Sequence, residues 1–122
     1  MTSLFRNGLV LAALVTGVLS PALVRADTAG ATTISVVASN WKFTPAVITV
    51  HVGKPTTLKL SAAVGAHGLA SPDLGIPQTV IVQGTPTSVT FTPTKTGTYV
   101  LHCAIPCGSG HDHMVLTVKV VA

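Results

Sequence analysis

The chain has 122 residues, of which 48% are apolar, 8% charged and 4% aromatic. This length suits one domain around one hydrophobic core, and the apolar content excludes a disordered chain. The formal net charge is +4, but the seven basic residues form no run, which argues against a nucleic-acid partner. Thr, Val, Gly and Pro are frequent, and no segment beyond the N-terminus has a helical pattern. The composition therefore predicts a small all-β protein.

The N-terminal segment has the pattern of a secretory signal peptide. Arg6 supplies a positive charge, residues 8–24 carry none, and Val24-Arg25-Ala26 fits a small-residue cleavage site. We predict a signal peptide over residues 1–26, a flexible leader over 27–32 and one domain over 33–122. An uncleaved anchor is the alternative, although the apolar run is short beside the ~20 residues of a spanning helix. Cleavage would leave five Lys and three Asp, so the predicted mature, exported chain is nearly neutral.

The rest of the chain alternates short β-type runs with turn signals. Ser61 to Pro77, rich in Ala, Gly and Pro, shows no pattern and is predicted to be a loop. Seven short runs without helices predict an antiparallel sandwich or barrel of about seven or eight strands. The predicted strands are Thr33–Ala38, Val47–Val52, Thr57–Ser61, Thr79–Gln83, Thr87–Thr92, Thr98–Cys103 and Val115–Val121.

Both cysteines lie in one loop near the C-terminus, with the spacing C-x3-C-x3-H-x2-M from Cys103 to Met114. The loop joins two predicted strands whose side chains alternate between core and solvent. Leu101 and Cys103 share the core face of the first strand, and Met114 and Leu116 share that of the second. Cys103 and Met114 are therefore expected to converge beneath the loop.

The side chains of this loop are soft metal ligands. Thiolate, imidazole and thioether together favour copper over magnesium, calcium or manganese. A Cys103–Cys107 disulfide is one alternative, but it would close a loop of few residues and leave His111 and Met114 unexplained. Zinc is another alternative, although zinc sites rarely recruit Met. The loop thus predicts a copper site, with the disulfide describing an oxidised, metal-free form.

The loop resembles, position for position, the binuclear copper (CuA) motif of cytochrome c oxidase subunit II and nitrous oxide reductase. Those motifs are carried on cupredoxin domains, and the resemblance extends over about residues 33–122. Upstream, the segment around His67, with Ser71-Pro72-Asp73-Leu74-Gly75 after it, resembles the subunit II segment that bears the first copper-ligating histidine. The resemblance implies a cupredoxin-like Greek-key β-sandwich or barrel.

The resemblance also implies a ligand set. Cys103 and Cys107 would be thiolates that bridge two copper ions. His67 would bind one copper and His111 the other, and Met114 would be a weak axial ligand. It also implies that Trp41 and Phe43 enter the core as a pair.

The backbone carbonyl of Ile105 would complete the set, at a position where subunit II usually has Glu. The carbonyl suffices for the metal, but the contact of that Glu side chain with neighbouring subunits is lost. The two transmembrane helices of subunit II are also missing from the pattern, and Leu69 stands where an aromatic residue often follows the first histidine. These departures argue against the chain being a subunit of an oxidase, but they leave the metal ligands in place.

The remaining histidines, His51, His102 and His113, are predicted to lie on the surface. Only three acidic residues are present, so general acid–base catalysis has little material and we predict an electron-transfer protein rather than an enzyme. It would bind no organic substrate and would work with a redox partner such as a cytochrome. Two alternatives remain: a periplasmic copper carrier that exchanges metal with a donor or acceptor protein, and a mononuclear type 1 site that leaves Cys103 without a role.

Overall fold

The structure is a computed structural model that describes residue 17 and residues 31–122. Apart from residue 17, the predicted signal peptide and the first residues of the leader lie outside the described residues. Residues 31–122 form nine strands and two short 3₁₀ turns, Pro72–Leu74 and His111–His113. The strands are β1 (Thr32–Ser39), β2 (Lys42–Thr44), β3 (Val47–His51), β4 (Thr56–Ala62), β5 (Ala66–Ser71), β6 (Ile76–Val82), β7 (Thr87–Phe91), β8 (Gly97–His102) and β9 (Val115–Val121).

The strands form a four-stranded sheet in the order β2-β1-β4-β7, a three-stranded sheet in the order β3-β9-β8, and the β5-β6 pair. This confirms the all-β prediction, but the prediction of purely antiparallel sheets was wrong. β1 pairs with β4 in parallel, and β3 pairs with β9 in parallel. Two parallel neighbouring strands must be joined by a connection that crosses over, commonly a helix. Between β1 and β4 the chain instead passes through β3 of the other sheet, so no helix is required.

The core is built by residues that alternate along each strand. In β4, Leu58 and Leu60 are fully buried while Lys59 between them is exposed, as the sequence pattern predicted. In β9, Leu116, Val118 and Val120 are buried in the same way. Buried residues of all three sheets form one hydrophobic cluster, so the sheets enclose a single core.

Strand β5 lies inside the segment that was predicted to be a loop. It pairs antiparallel with β6, and His67, Gly68 and Leu69 at its centre are all buried. A strand covered on both faces lacks the polar–apolar alternation by which half-exposed strands are recognised. The sequence therefore misplaced His67, which lies on a strand rather than on a free loop.

Candidate metal centre

The loop between β8 and β9 is held together at its two ends. The backbone N–H of Cys103 donates to the carbonyl oxygen of Met114 at 3.0 Å, which extends the β8–β9 ladder by one step. Both side chains are buried, with 4% of Cys103 and none of Met114 exposed. The predicted convergence of these two residues beneath the loop is confirmed.

The sulfur atoms of the loop lie close to one another and to His111. The Cys107 Sγ is 3.5 Å from Nδ1 of His111 and 3.7 Å from Sδ of Met114. The thiol of Cys103 donates to the carbonyl oxygen of Ile105 at 3.3 Å. Both cysteines are free thiols. Cys107 thus lies beside both His111 and Met114, while the thiol of Cys103 lies against the Ile105 carbonyl.

His67 approaches the loop from β5. Its ring is fully buried, and one of its nitrogens lies within 4.8 Å of the sulfur atoms of Cys103 and Cys107, which are within the same distance of each other. The N–H of Ala104 donates to the carbonyl oxygen of Gly68 at 3.0 Å and so fixes β5 against the loop. The structure therefore brings the upstream histidine and both cysteines to one place.

Gly68 allows this close approach. A Cβ atom there would lie 3.3 Å from the side chains of Ala104 and Ile105 and from the Ile105 backbone nitrogen, tighter than ordinary van der Waals contact. Only glycine lets the two backbones meet without displacing one of them.

We expect Gly68→Val to push the loop away from β5 and to lower the free energy of unfolding by about 1–3 kcal/mol, as overpacking does. The matched control is Ala66→Val, on the same strand face but exposed, which should be close to neutral. Chemical unfolding of the two metal-free variants measures the difference. Equal stabilities would contradict the tight contact at Gly68.

The buried ring of His67 has one nitrogen satisfied and one free. Nε2 lies 2.9 Å from the carbonyl oxygen of Val64, and because a carbonyl only accepts, Nε2 carries the hydrogen. Nδ1 is then an acceptor, and it is the one buried side-chain nitrogen or oxygen of the described residues without a hydrogen-bond partner. A buried imidazole close to two thiols, with one nitrogen lacking a partner and its ring oriented by a backbone carbonyl, fits a metal ligand.

Burial also raises the pKa of one of the two thiols. Desolvation, and then the hydrogen bond and charge interaction with Cys103, raise the pKa of Cys107 from 9.0 to about 11. Burial disfavours the thiolate because an unpaired charge loses hydration there. At neutral pH the metal-free protein therefore holds Cys107 as a thiol, and a bound cation would have to displace its proton.

The raised pKa predicts a loss of stability in alkaline solution. Between pH 9 and about 11 the folded chain keeps the Cys107 proton that the unfolded chain has released, so rising pH favours unfolding through this window. Thermal unfolding of the reduced, metal-free protein across this range should show the decline, and Cys107→Ser should show a shallower one. Identical slopes would mean that the Cys107 pKa is not raised.

The other histidines lie apart from this cluster. His51, His102 and His113 are exposed, as predicted, and Nδ1 of His51 lies 3.2 Å from the carbonyl oxygen of Ala122. Across residues 31–122, the one group of three metal-type side chains within reach of a common ion is His67, Cys103 and Cys107.

Trp41 does not join Phe43 in the core, contrary to the expectation from the sequence. Phe43 is buried, but Trp41 is 39% exposed, and its Nε1 donates to the carbonyl oxygen of Cys107 at 3.2 Å. The indole lies against Gly108 and Gly110 of the loop. The sequence did not predict this contact. The two glycines of the loop indicate a close approach to its backbone, but they do not identify the residue that makes it.

The family model described as "Cupredoxin-like domain" matches residues 8–118, most of the chain. The chain belongs to the cupredoxin-like family. This agrees with the resemblance found in the sequence and implies copper as the metal for the cluster. No curated protein is significantly similar to this cupredoxin-like domain.

Three solved structures illustrate what the cupredoxin-like domain is similar to. The periplasmic domain of subunit II of cytochrome oxidase (CoxB) from Bradyrhizobium japonicum is 21% identical over 73% of this chain and 83% of that chain, with a TM-score of 0.66. Auracyanin A, a "blue" copper protein from Chloroflexus aurantiacus, is 18% identical over 75% and 100%, with a TM-score of 0.58. The metal binding domain of the Cu(I) exporting P-type ATPase CopA from Streptococcus pneumoniae D39 is 21% identical over 77% and 89%, with a TM-score of 0.63. These likenesses establish the fold.

Among the residues that the structure describes, helical structure is limited to the two 3₁₀ turns, and neither has the length or apolar character of a membrane-crossing helix.

Proposed function

We propose that this cupredoxin-like domain carries single electrons through a binuclear, CuA-type copper centre. The observation that carries the proposal is the pair of free thiols, Cys103 and Cys107, whose sulfur atoms lie within 4.8 Å of each other and of a ring nitrogen of the buried His67. A mononuclear site uses one thiolate and would leave a second thiol beside the metal without a partner. Two bridging thiolates give both cysteines a role.

The donor groups divide naturally between two ions. The thiolates of Cys103 and Cys107 would bridge the ions, while His67 and His111 would each bind one of them. The thioether of Met114 and the carbonyl of Ile105, which already lie within contact of the thiols, would be the weaker ligands. A copper pair in this set supplies a reversible one-electron couple.

The protein's contribution is to hold these donors still. β8 and β9 fix both ends of the loop, β5 fixes His67, and the Val64 carbonyl fixes the orientation of its ring. His67, Cys103 and Cys107, whose donor atoms lie within 4.8 Å of one another, would be the preorganised part of the site. Leu69 is fully buried, and Ile105 packs against the core beside it, so water is largely kept from the site.

The proposed setting is the periplasm. The N-terminal pattern predicts export, and the similar CoxB domain is periplasmic. We infer a redox partner such as a cytochrome on one side of the electron path and a reductase or oxidase on the other.

Copper stoichiometry and the visible spectrum test the proposal. Loading the reduced protein should give two copper ions per chain and a purple, mixed-valence species. One copper ion per chain with a single strong blue band would instead establish a mononuclear type 1 site. Auracyanin A, one of the similar structures, is described as a "blue" copper protein.

Copper delivery is a second candidate function. It is favoured by the likeness to the metal binding domain of a Cu(I) exporting ATPase, which was solved with Cu(I). A carrier should release copper quickly to a competing Cu(I) chelator, whereas an electron carrier should keep it through repeated oxidation and reduction. The rate of copper transfer to the chelator separates the two functions.

A further inference from the structure

We propose that Trp41 is a positioning residue that holds the ligand loop closed, and that Gly110 leaves the space in which its indole ring packs. We call this contact between Trp41 and residues 107–110 the clamp. Through the loop backbone, Trp41 would fix Cys107 and His111 relative to His67. This inference rests on the proposed copper function for what the loop holds, but the contacts belong to the metal-free protein.

The indole lies directly on the loop backbone. A Cβ atom at Gly110 would be 2.3 Å from Cγ and 2.4 Å from Cδ2 of Trp41, and one at Gly108 would be 3.0 Å from its Nε1. Real Cβ atoms do not approach other atoms as closely as the first two distances, so no side chain fits at position 110 under the ring. The same indole donates its N–H to the Cys107 carbonyl.

This contact joins the segment 107–110 to a residue outside the loop, in addition to the packing of Cys107 against the core. The backbone bonds within the loop are local: His111 donates to Gly108, and His113 donates to Gly110. Among the described residues, the bond from Trp41 is the one hydrogen bond that joins residues 107–110 to any residue outside the loop 103–114. Without it, this segment would be held by the packing of Cys107 and by the local bonds of the loop.

Trp41 is well placed to hold the loop because its own position is fixed. It directly precedes β2, where Phe43 is buried and where the backbone pairs with β1. β2 belongs to the four-stranded sheet, whereas the loop joins two strands of the three-stranded sheet. The indole therefore ties the loop to the opposite sheet at this end of the sandwich.

A double-mutant cycle between Trp41→Ala and Gly110→Ala tests the clamp. Gly110 has φ −95° and ψ 8°, the values of the third residue of a type I turn, which alanine can adopt, and the three atoms nearest to an added Cβ all belong to Trp41, so the cycle isolates the part of the penalty that comes from the indole. We expect Gly110→Ala to loosen the loop in the parent and to have little further effect beside Trp41→Ala. If Gly110→Ala fails to fold, restoration of folding by Trp41→Ala supports the clamp, and its failure to restore folding contradicts it.

The readout is the alkylation rate of Cys103 by iodoacetamide in the reduced, metal-free protein. Cys103 is 4% exposed, so reagent reaches it when the loop opens. Loss of one hydrogen bond and one aromatic contact should speed alkylation about tenfold in Trp41→Ala. Trp41→Phe, which keeps a ring but no N–H, should lie between. Val47→Ala, at an exposed position on β3, is the control and should match the parent.

Copper-loaded samples complete the test. Trp41→Ala should lose copper to a chelator faster than the parent, and because the same contacts are lost on unfolding, its melting temperature in the metal-free state should also fall, by about 4–8 °C. Unchanged Cys103 alkylation in Trp41→Ala, or an equal effect of Gly110→Ala in both backgrounds, would overturn the clamp. If the parent binds no copper, the proposed function fails, but the alkylation cycle still decides the clamp.

Discussion

His67→Ala is expected to lose at least one copper ion of the proposed binuclear centre, because Nδ1 of His67 is the one buried side-chain nitrogen or oxygen, among the residues that the structure describes, without a hydrogen-bond partner. Its ring is fully enclosed, and Ala66 and Gly68 beside it carry no donor side chain. We expect a loss of affinity greater than the ~10–100-fold that follows removal of an outer-shell partner of a metal ligand. Copper content and electron paramagnetic resonance of the purified variant measure the effect.

His51→Ala is the matched control. His51 is exposed and contacts the carbonyl oxygen of Ala122, so its removal should leave copper content and spectrum unchanged. Circular dichroism should confirm that both variants keep their strands. A normal spectrum from His67→Ala, or a collapsed one from His51→Ala, would mean that the wrong upstream histidine was assigned.

If the proposed binuclear centre is present, serine at either cysteine will abolish its spectrum, whereas Met114→Leu will keep both copper ions. A bridging thiolate holds two metals at once, while an axial thioether mainly tunes the reduction potential. Leucine also suits the fully buried site of Met114, since the two side chains have similar volumes. The measurements are copper stoichiometry, the visible spectrum and the reduction potential of the three variants.

The two serine variants also distinguish a binuclear site from a mononuclear type 1 site. In a mononuclear site, Cys103→Ser would retain the full parental stoichiometry and spectrum, because Cys103 would not be a ligand. Cys107→Ser alone would then remove copper.

The loop between β8 and β9 could be predicted from the sequence because both flanking strands are half exposed. Alternation along them placed Cys103 and Met114 on the core side, and the structure agrees. The expectation for Trp41 came from the family resemblance and was wrong. Trp41 lies in the turn before β2, which begins at Lys42, whereas Cys103 and Met114 continue the β8–β9 pairing through a backbone hydrogen bond.

Strand β5 was missed for a different reason, since its neighbours cover both of its faces. What covers Gly68 is the ligand loop itself, and no pattern within residues 66–71 reports a contact with residues 104–105. The parallel pairs β1–β4 and β3–β9 depend likewise on how the chain crosses between sheets. Local patterns located most strands, but long-range contacts determine which surfaces meet.

The place of Trp41 gives the protein an intrinsic optical reporter. It is the chain's only tryptophan, so all indole fluorescence comes from the ring that lies on the ligand loop. Its emission wavelength and its accessibility to quenchers would record opening of the loop without any label. Copper uptake and loop motion should therefore be observable in one cuvette, in real time and from the same side chain.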